Sequence, residues 1–207
     1  MLAQASQNTR SRVHDLVGDV ELLHPEQRDA ARRALHDGRP VLIAPDDPRP
    51  PNPELRIAVG YDGSAGSEAA LQAARTIADR SPEPVSLDIV YVDDSATAEF
   101  EQDAHVVGSR RAAVIEWWLR DLVRVAPYPV QAVRRVGDPA DELAAHSEDV
   151  DLLIIGTRGR APLRRLFSPS VSHAVMETTE APLLIVPRSG AIAHHRSRAR
   201  RSEKIPA

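Results

Sequence analysis

Asp151-Leu-Leu-Ile-Ile-Gly-Thr-Arg-Gly159, continued by Arg-Ala-Pro-Leu-Arg-Arg-Leu-Phe-Ser-Pro169-Ser-Val-Ser172, is the stretch that decides the fold. Asp151 to Ile155 carries a short apolar run of strand length, bounded by a glycine turn from Gly156 to Gly159. A basic loop follows, and from Ser170 to Thr178 the pattern turns helical. A strand that runs through glycine into a helix is a building unit of a parallel sheet. Its carboxyl end is where backbone amides and a helix N-terminus can gather around a phosphate.

Outward from this stretch the same alternation recurs. Arg56–Tyr61 (RIAVGY), Val85–Val92 (VSLDIVYV), Val130–Val136 and Pro182–Val186 read as further strands. Between them, Ser67–Arg80 has Ala70, Leu71, Ala74, Ile77 and Ala78 on one helical face. A long helical stretch over roughly 97–125 carries Ile115, Trp118 and Leu122, and Gly137-Asp138-Pro139 opens a short helix to about Ser147. Strands alternating with helices predict an α/β fold: a five-stranded parallel, doubly wound sheet with helices on both faces, over residues 54–188.

Residues 45–53 (PDDPRPPNP) hold five prolines and read as a stiff spacer. Before it, Val13, Leu16, Val17, Val20 and Leu23 share helical spacing, and Pro25–Asp37 reads as a second helix stopped by Gly38. Residues 1–44 are thus expected to be a helical extension ending in the strand-like Val41–Ala44. Pro40-Val-Leu-Ile-Ala-Pro45 repeats the form of Pro182-Leu-Leu-Ile-Val-Pro187. Chance and the remnant of a second repeat both account for that likeness at this level.

Composition narrows the function classes. Of 207 residues, 42% are hydrophobic but 3% aromatic, so the core must be Val, Ile, Leu and Ala. No apolar run is long enough to span a bilayer and no secretory leader is evident, so neither membrane insertion nor export is expected. The absence of cysteine fits a reducing compartment, and a cytoplasmic location is expected. The net charge of −4 combines a local +5 over residues 188–207 with −9 over the rest. The basic tail, 189–207, reads as disordered, and specific nucleic-acid binding is not expected. Lys204, in that tail, is the single lysine of the chain. Any phosphate bound by the folded part must therefore be held by backbone N–H, hydroxyls or arginine, without a Walker-type lysine. The eight histidines show no metal-ligand spacing outside the tail, and no metal site is expected. No nucleophile, base and orienting group come together, so no catalytic residues are assigned and any ATP hydrolysis would be slow.

In a doubly wound sheet, ligands bind at strand carboxyl ends where the winding reverses. Two loops compete for that place: Gly60-Tyr-Asp62-Gly-Ser64 and Gly156-Thr-Arg-Gly159. If their strands are neighbours, Asp62 faces the glycine loop and can accept a hydrogen bond from an adenine amino group or a ribose hydroxyl. The alternative is that Asp62 caps the following turn or helix.

Taken in order, VGYDGS, VGDPADEL, GTRG and the SVS helix leading to APLLIVP resemble the universal stress protein family, with its Rossmann-like, HUP-type fold, over residues 55–187. ATP-binding members of that family show a glycine, two residues, a second glycine, nine residues, then glycine and Ser or Thr. Gly156, Gly159 and Ser170 fit, and Pro169 stands where the third glycine belongs. The resemblance implies ATP or a related adenine nucleotide, with or without Mg2+, as a regulatory ligand. It implies Asp62 at the adenine, Val92 packed on the ring, and Ile155 and Gly156 beside the ribose and α-phosphate. Gly159, Ser170, Ser172 and the amide of Val171 would hold the polyphosphate, with Arg158 adding charge. Proline has no N–H to donate, so Pro169 weakens the loop while remaining suited to a first helical turn.

The resemblance also implies a homodimer formed by pairing the edge strand Leu183–Val186 with its copy. A bare edge does need a partner or cover, and Val41–Ala44 is a second candidate for it, from the same chain or another. The alternative function is a nucleotide-free interaction module that acts through such dimerisation.

Overall fold

The computed structural model describes residues 9–18, 20–45, 52–93, 113, 117, 126–157, 170–179 and 181–188, with the backbone only for 9–11 and 170–173. In chain order these form α1 (Thr9–Val17), β1 (Glu21–Leu23), α2 (Arg28–His36), β2 (Val41–Ile43), β3 (Leu55–Gly60), α3 (Ala65–Arg80) and β4 (Val85–Asp93). Then come β5 (Val130–Val136), α4 (Pro139–Ser147), β6 (Leu152–Thr157), α5 (Ser170–Thr178) and β7 (Leu183–Pro187).

The central strands are apolar at successive positions because both of their faces are covered. Ile57, Val59, Leu152, Ile154, Leu184 and Val186 point to one side, where α1 and α3 pack. Ala58, Leu153, Ile155, Leu183 and Ile185 point to the other, beneath α2, α4 and α5. The sheet order is β1-β2-β7-β6-β3-β4-β5. β3 pairs in parallel with both β4 and β6, and β7 in parallel with β6. These five parallel strands, with helices on both faces, are the arrangement expected from the sequence.

The N-terminal region corrects two expectations. The run from Val13 to Leu23 is not one helix. α1 closes with the Gly18 amide on the His14 carbonyl (3.1 Å), and Gly18 takes φ +81°, where only glycine is comfortable. Val20, just ahead of β1, and Leu23, at the end of that strand, are still buried. The sheet therefore has seven strands rather than five, because β1 and β2 join it. It is also not all parallel, since β2 runs antiparallel to β7 with Leu42 opposite Leu184. β7 is therefore an interior strand, and the cover that its edge needs comes from Val41–Ile43 of the same chain, the second of the two candidates for it.

α2 ends as Gly38 predicted. The Gly38 amide reaches Leu35 (3.1 Å) and the Arg39 amide reaches Ala34 (2.9 Å), with Gly38 at φ +76°. That is a Schellman close, satisfying carbonyls the helix leaves open. Of the helix expected over 97–125, positions 113 and 117 are described and are helical; Ile115, Trp118 and Leu122 lie outside the described residues, as does the tail 189–207. No helix among the described residues is long and apolar enough to cross a membrane.

Candidate functional site

β3 and β6 lie side by side in parallel register, Ile57 opposite Leu152 and Val59 opposite Ile154. From β3 the chain passes through α3 to β4 on one side, whereas β6 and β7 continue on the other. The winding thus reverses between β3 and β6, and the loops that leave their carboxyl ends share one rim of the sheet. The Asp62 loop and the Gly156 loop are those two loops.

The Asp62 loop is shaped by its own hydrogen bonds. Asp62 Oδ1 accepts from the Ser64 amide (3.0 Å), across Gly63 at φ +74°. Ser64 caps α3, its hydroxyl accepting from the Ser67 amide (3.2 Å), and Ser67 Oγ donates to the Ser64 carbonyl (2.9 Å). Asp62 therefore makes the turn-forming contact, on the rim that the two loops share.

The two loops are held together by glycine against glycine. A Cβ on Gly156 would lie 2.0 Å from the Gly66 carbonyl oxygen, and one on Gly66 would lie 2.6 Å from the Thr157 oxygen. The first turn of α3 is thus seated directly on the end of β6, backbone on backbone. The space that Gly156 leaves is filled by the protein itself. Gly60 has a packing duty too, since its missing Cβ faces Ile155 and Leu143 at 3.2 Å. Ile155 is buried and Val92 half-buried, both against the α4 and α5 layer. Arg158, Gly159 and Pro169 lie outside the described residues. Ser170, Val171 and Ser172 form the first turn of α5, and their side chains lie outside the description.

Gly137-Asp138-Pro139 is a helix start. Asp138 Oδ1 accepts from the Ala140 amide (2.8 Å), with Pro139 in the first turn of α4. A polar group that sequence reasoning missed lies nearby. Asp88, the one charge inside the apolar run of β4, meets His146 of α4 through Oδ2 and Nε2 (3.1 Å). Arg135 Nη2 lies 3.3 Å from the other ring nitrogen. A carboxylate interrupting a buried strand was the available signal, but its partner comes from 58 residues away. At the end of β4, buried Asp93 accepts from Arg134 Nη2 (2.7 Å).

Tyr61, at the root of the Asp62 loop, donates its hydroxyl to Glu68 of α3. Burial first, then this hydrogen bond and the charges of Glu68 and Asp62, push the phenol above its ordinary value of 10.0. The folded state thus prefers the neutral phenol. Its stabilising contribution is complete below pH 10 and is lost as pH rises through the alkaline range. Urea unfolding followed from about pH 8 to 11 should show stability falling on the alkaline side, less steeply in Tyr61→Phe. Half-buried Tyr128, also raised by burial, leaves a residual slope in that variant. Identical slopes in the two proteins would mean that Tyr61 ionises as freely folded as unfolded.

The profile of the universal stress protein family matches residues 55–187, the span that holds β3 through β7 and both rim loops. The chain belongs to the universal stress protein family. Universal stress protein YxiE of Bacillus subtilis is 30% identical over 144 residues, 63% of this chain and 97% of that protein. Universal stress protein Rv2623 of Mycobacterium tuberculosis is 27% identical over 157 residues, 72% of this chain. This family member spans about half the length of that relative, 51%. Among solved structures, a universal stress protein from Archaeoglobus fulgidus superposes with a TM-score of 0.55 at 20% identity, covering 76% of this chain and 55% of the other. UspA from Lactobacillus plantarum superposes with a TM-score of 0.52 at 19% identity, covering 64% and 97%. At those identities the superpositions establish the fold.

Proposed function

We propose that the protein binds an adenine nucleotide as a regulatory ligand in a stress response, in the crevice between the loops after β3 and β6. The observation that best supports this reading is the adjacency of those two strands at the reversal of winding. Asp62 receives the adenine amino group or a ribose hydroxyl, and Val92 flanks the ring. Arg158, Gly159 and the first turn of α5, with Ser170, Val171 and Ser172, hold the phosphates. Gly60, Ile155 and Gly156 serve mainly as the packed floor of the site, leaving their backbone to border the sugar. With no lysine before residue 204, the phosphate grip is amide, hydroxyl and arginine. ATP brings Mg2+ on its own phosphates, and slow hydrolysis is incidental to binding.

Calorimetric titration with ATP, AMP and cyclic AMP tests the reading. Saturable binding below roughly 1 mM is expected for at least one of them. Losing one charge-assisted hydrogen bond in Asp62→Ala should weaken it about ten- to a hundredfold. Pro169→Gly, which restores an N–H and removes the ring, should tighten ATP binding by about tenfold. Silence with all three nucleotides sinks the proposal. That outcome supports the second reading, a nucleotide-free module, which is favoured by the structural duties that Asp62 and Gly156 already perform without a ligand.

A further inference from the structure

Residues 21–43 reproduce, in space as well as in order, the piece of chain that completes the main domain. β1, α2 and β2 follow one another as β6, α5 and β7 do. Leu22 lies opposite Leu42 in the first parallel pair, and Ile154 opposite Leu184 in the second. The helix starts at 28 and the strand at 41 in the first unit, at 170 and 183 in the second, so the spacing is identical. Both helices run nine residues and lie on the same face of the sheet, over one apolar cluster. Arg28 of α2 also bonds Glu177 of α5 at 2.7 Å.

The seam between the two units is self-complementary. Superposing them equates Val41 with Leu183, Leu42 with Leu184 and Ile43 with Ile185. Across the antiparallel seam, Val41 faces Ile185, Leu42 faces Leu184, and Ile43 faces Leu183. The outer two pairs are thus one pair seen from opposite sides, and the middle pair sits on a local two-fold axis. This is the geometry of an isologous contact between two copies of one surface, made here within a single chain.

The units differ at one connection. Twelve residues, 158–169, join β6 to α5, and four residues, 24–27, join β1 to α2. The short connection, His24-Pro25-Glu26-Gln27, contains no glycine and closes on itself. The His24 amide reaches Gln27 Oε1 and the Gln27 amide reaches the His24 carbonyl, both at 2.8 Å. It omits the stretch that carries the glycine and arginine residues of the candidate phosphate loop.

We infer that β1-α2-β2 is a reduced copy of the domain's own edge unit, lacking the ligand loop. It occupies the seat on β7 that a second chain would otherwise take. The chain completes its sheet from within and does not pair β7 with the β7 of another copy.

The protein has no cysteine, so introduced thiols report directly. Residues 42 and 184 lie directly opposite, within disulfide reach. In the full chain, oxidised Leu42→Cys/Leu184→Cys should close an intrachain disulfide. Non-reducing electrophoresis should show a single-chain band near 22.6 kDa. The effective concentration within one chain favours that product over interchain pairs on the order of a hundredfold at micromolar protein. Leu184→Cys alone should remain a single chain under the same oxidant. In a β7–β7 pairing the two introduced thiols would meet on the axis, so a disulfide-linked dimer from this variant overturns the inference. Where the double variant fails to fold, Val41→Cys/Ile185→Cys addresses the neighbouring pair. A folded pair variant that forms no intrachain bond overturns the inference equally.

Discussion

Gly156→Ala should unfold about 6–12 °C below the parent protein, from a loss near 3 kcal/mol, the upper part of the range for overpacking. The added methyl would stand 2.0 Å from the Gly66 carbonyl oxygen, 2.1 Å from its carbon and 2.7 Å from the Ser67 amide nitrogen. All three are backbone atoms, so no rotamer change relieves the contact. Relief requires the first turn of α3 to lift from β6, and that turn carries the Ser64 cap and its bond from Ser67. Gly66→Ala meets the same seam from the other side, at 2.6 Å from the Thr157 oxygen, and should fall in the same direction by less. Because the two glycines touch, the double variant should not be additive. Gly60→Ala is the contrast. Its methyl would meet the end of Leu143 and the Cγ2 methyl of Ile155 at 3.2 Å, side-chain atoms at a longer distance rather than backbone, so a loss of about 1 kcal/mol is expected. Scanning calorimetry on the three variants checks the ranking. A Gly156→Ala protein that melts with the parent would show that α3 is not seated on β6.

The second large effect is expected at the opposite end of the sheet. Asp151 is 2% exposed, and its two oxygens accept from the Arg56 amide (2.9 Å) and the Asn52 side chain (3.2 Å). The Asn52 carbonyl in turn accepts from Arg12 of α1 (2.8 Å), and Arg12 also pairs with Glu83 ahead of β4. One buried carboxylate thus joins the start of β6, the end of the proline segment and the N-terminal helix. Asp151→Ala removes both bonds and leaves the Arg56 N–H without its acceptor, a loss of about 3 kcal/mol. Asp151→Asn keeps one acceptor oxygen and should lose roughly half as much. Urea midpoints at unchanged slope would register both losses. Nucleotide affinity should not move, since Asp151 lies at the amino end of β6 and the candidate site at its carboxyl end. A stable Asp151→Ala protein would mean that solvent replaces those bonds at no loss.

Much of the domain was legible because its signals are local. Val85–Val92 and Leu152–Ile155 are apolar runs of strand length, Asp138-Pro139 is a helix start, and Gly38 is a helix stop. Each is written in residues within a turn of one another. The spacing from Val13 to Leu23 misled because a helix end, a connection and a strand in succession bury Val17, Val20 and Leu23 at the intervals that one helix would. The choice turned on Gly18 in a left-handed conformation. The rim loops were legible as a pair, but their glycines were not. Gly156 reads from sequence as a ligand contact, and the close approach of Gly66, 90 positions earlier, adds a packing duty that no local pattern showed. Asp88 was visible as a charge in a buried strand, whereas His146 and Arg135 were not visible as its partners.

By itself, the sequence determined the alternating strands and helices of residues 54–188, the family, the lack of a phosphate-gripping lysine, and which loops follow which strands. Those properties follow from short-range periodicity and residue chemistry. The tertiary structure alone decided that β3 and β6 are neighbours, that α3 rests on β6 through two glycines, and that Val41–Ile43 lies against Leu183–Ile185. Strand order and seam register are set by burying both faces of a sheet at once. That condition joins residues far apart in the chain, and no local pattern records it.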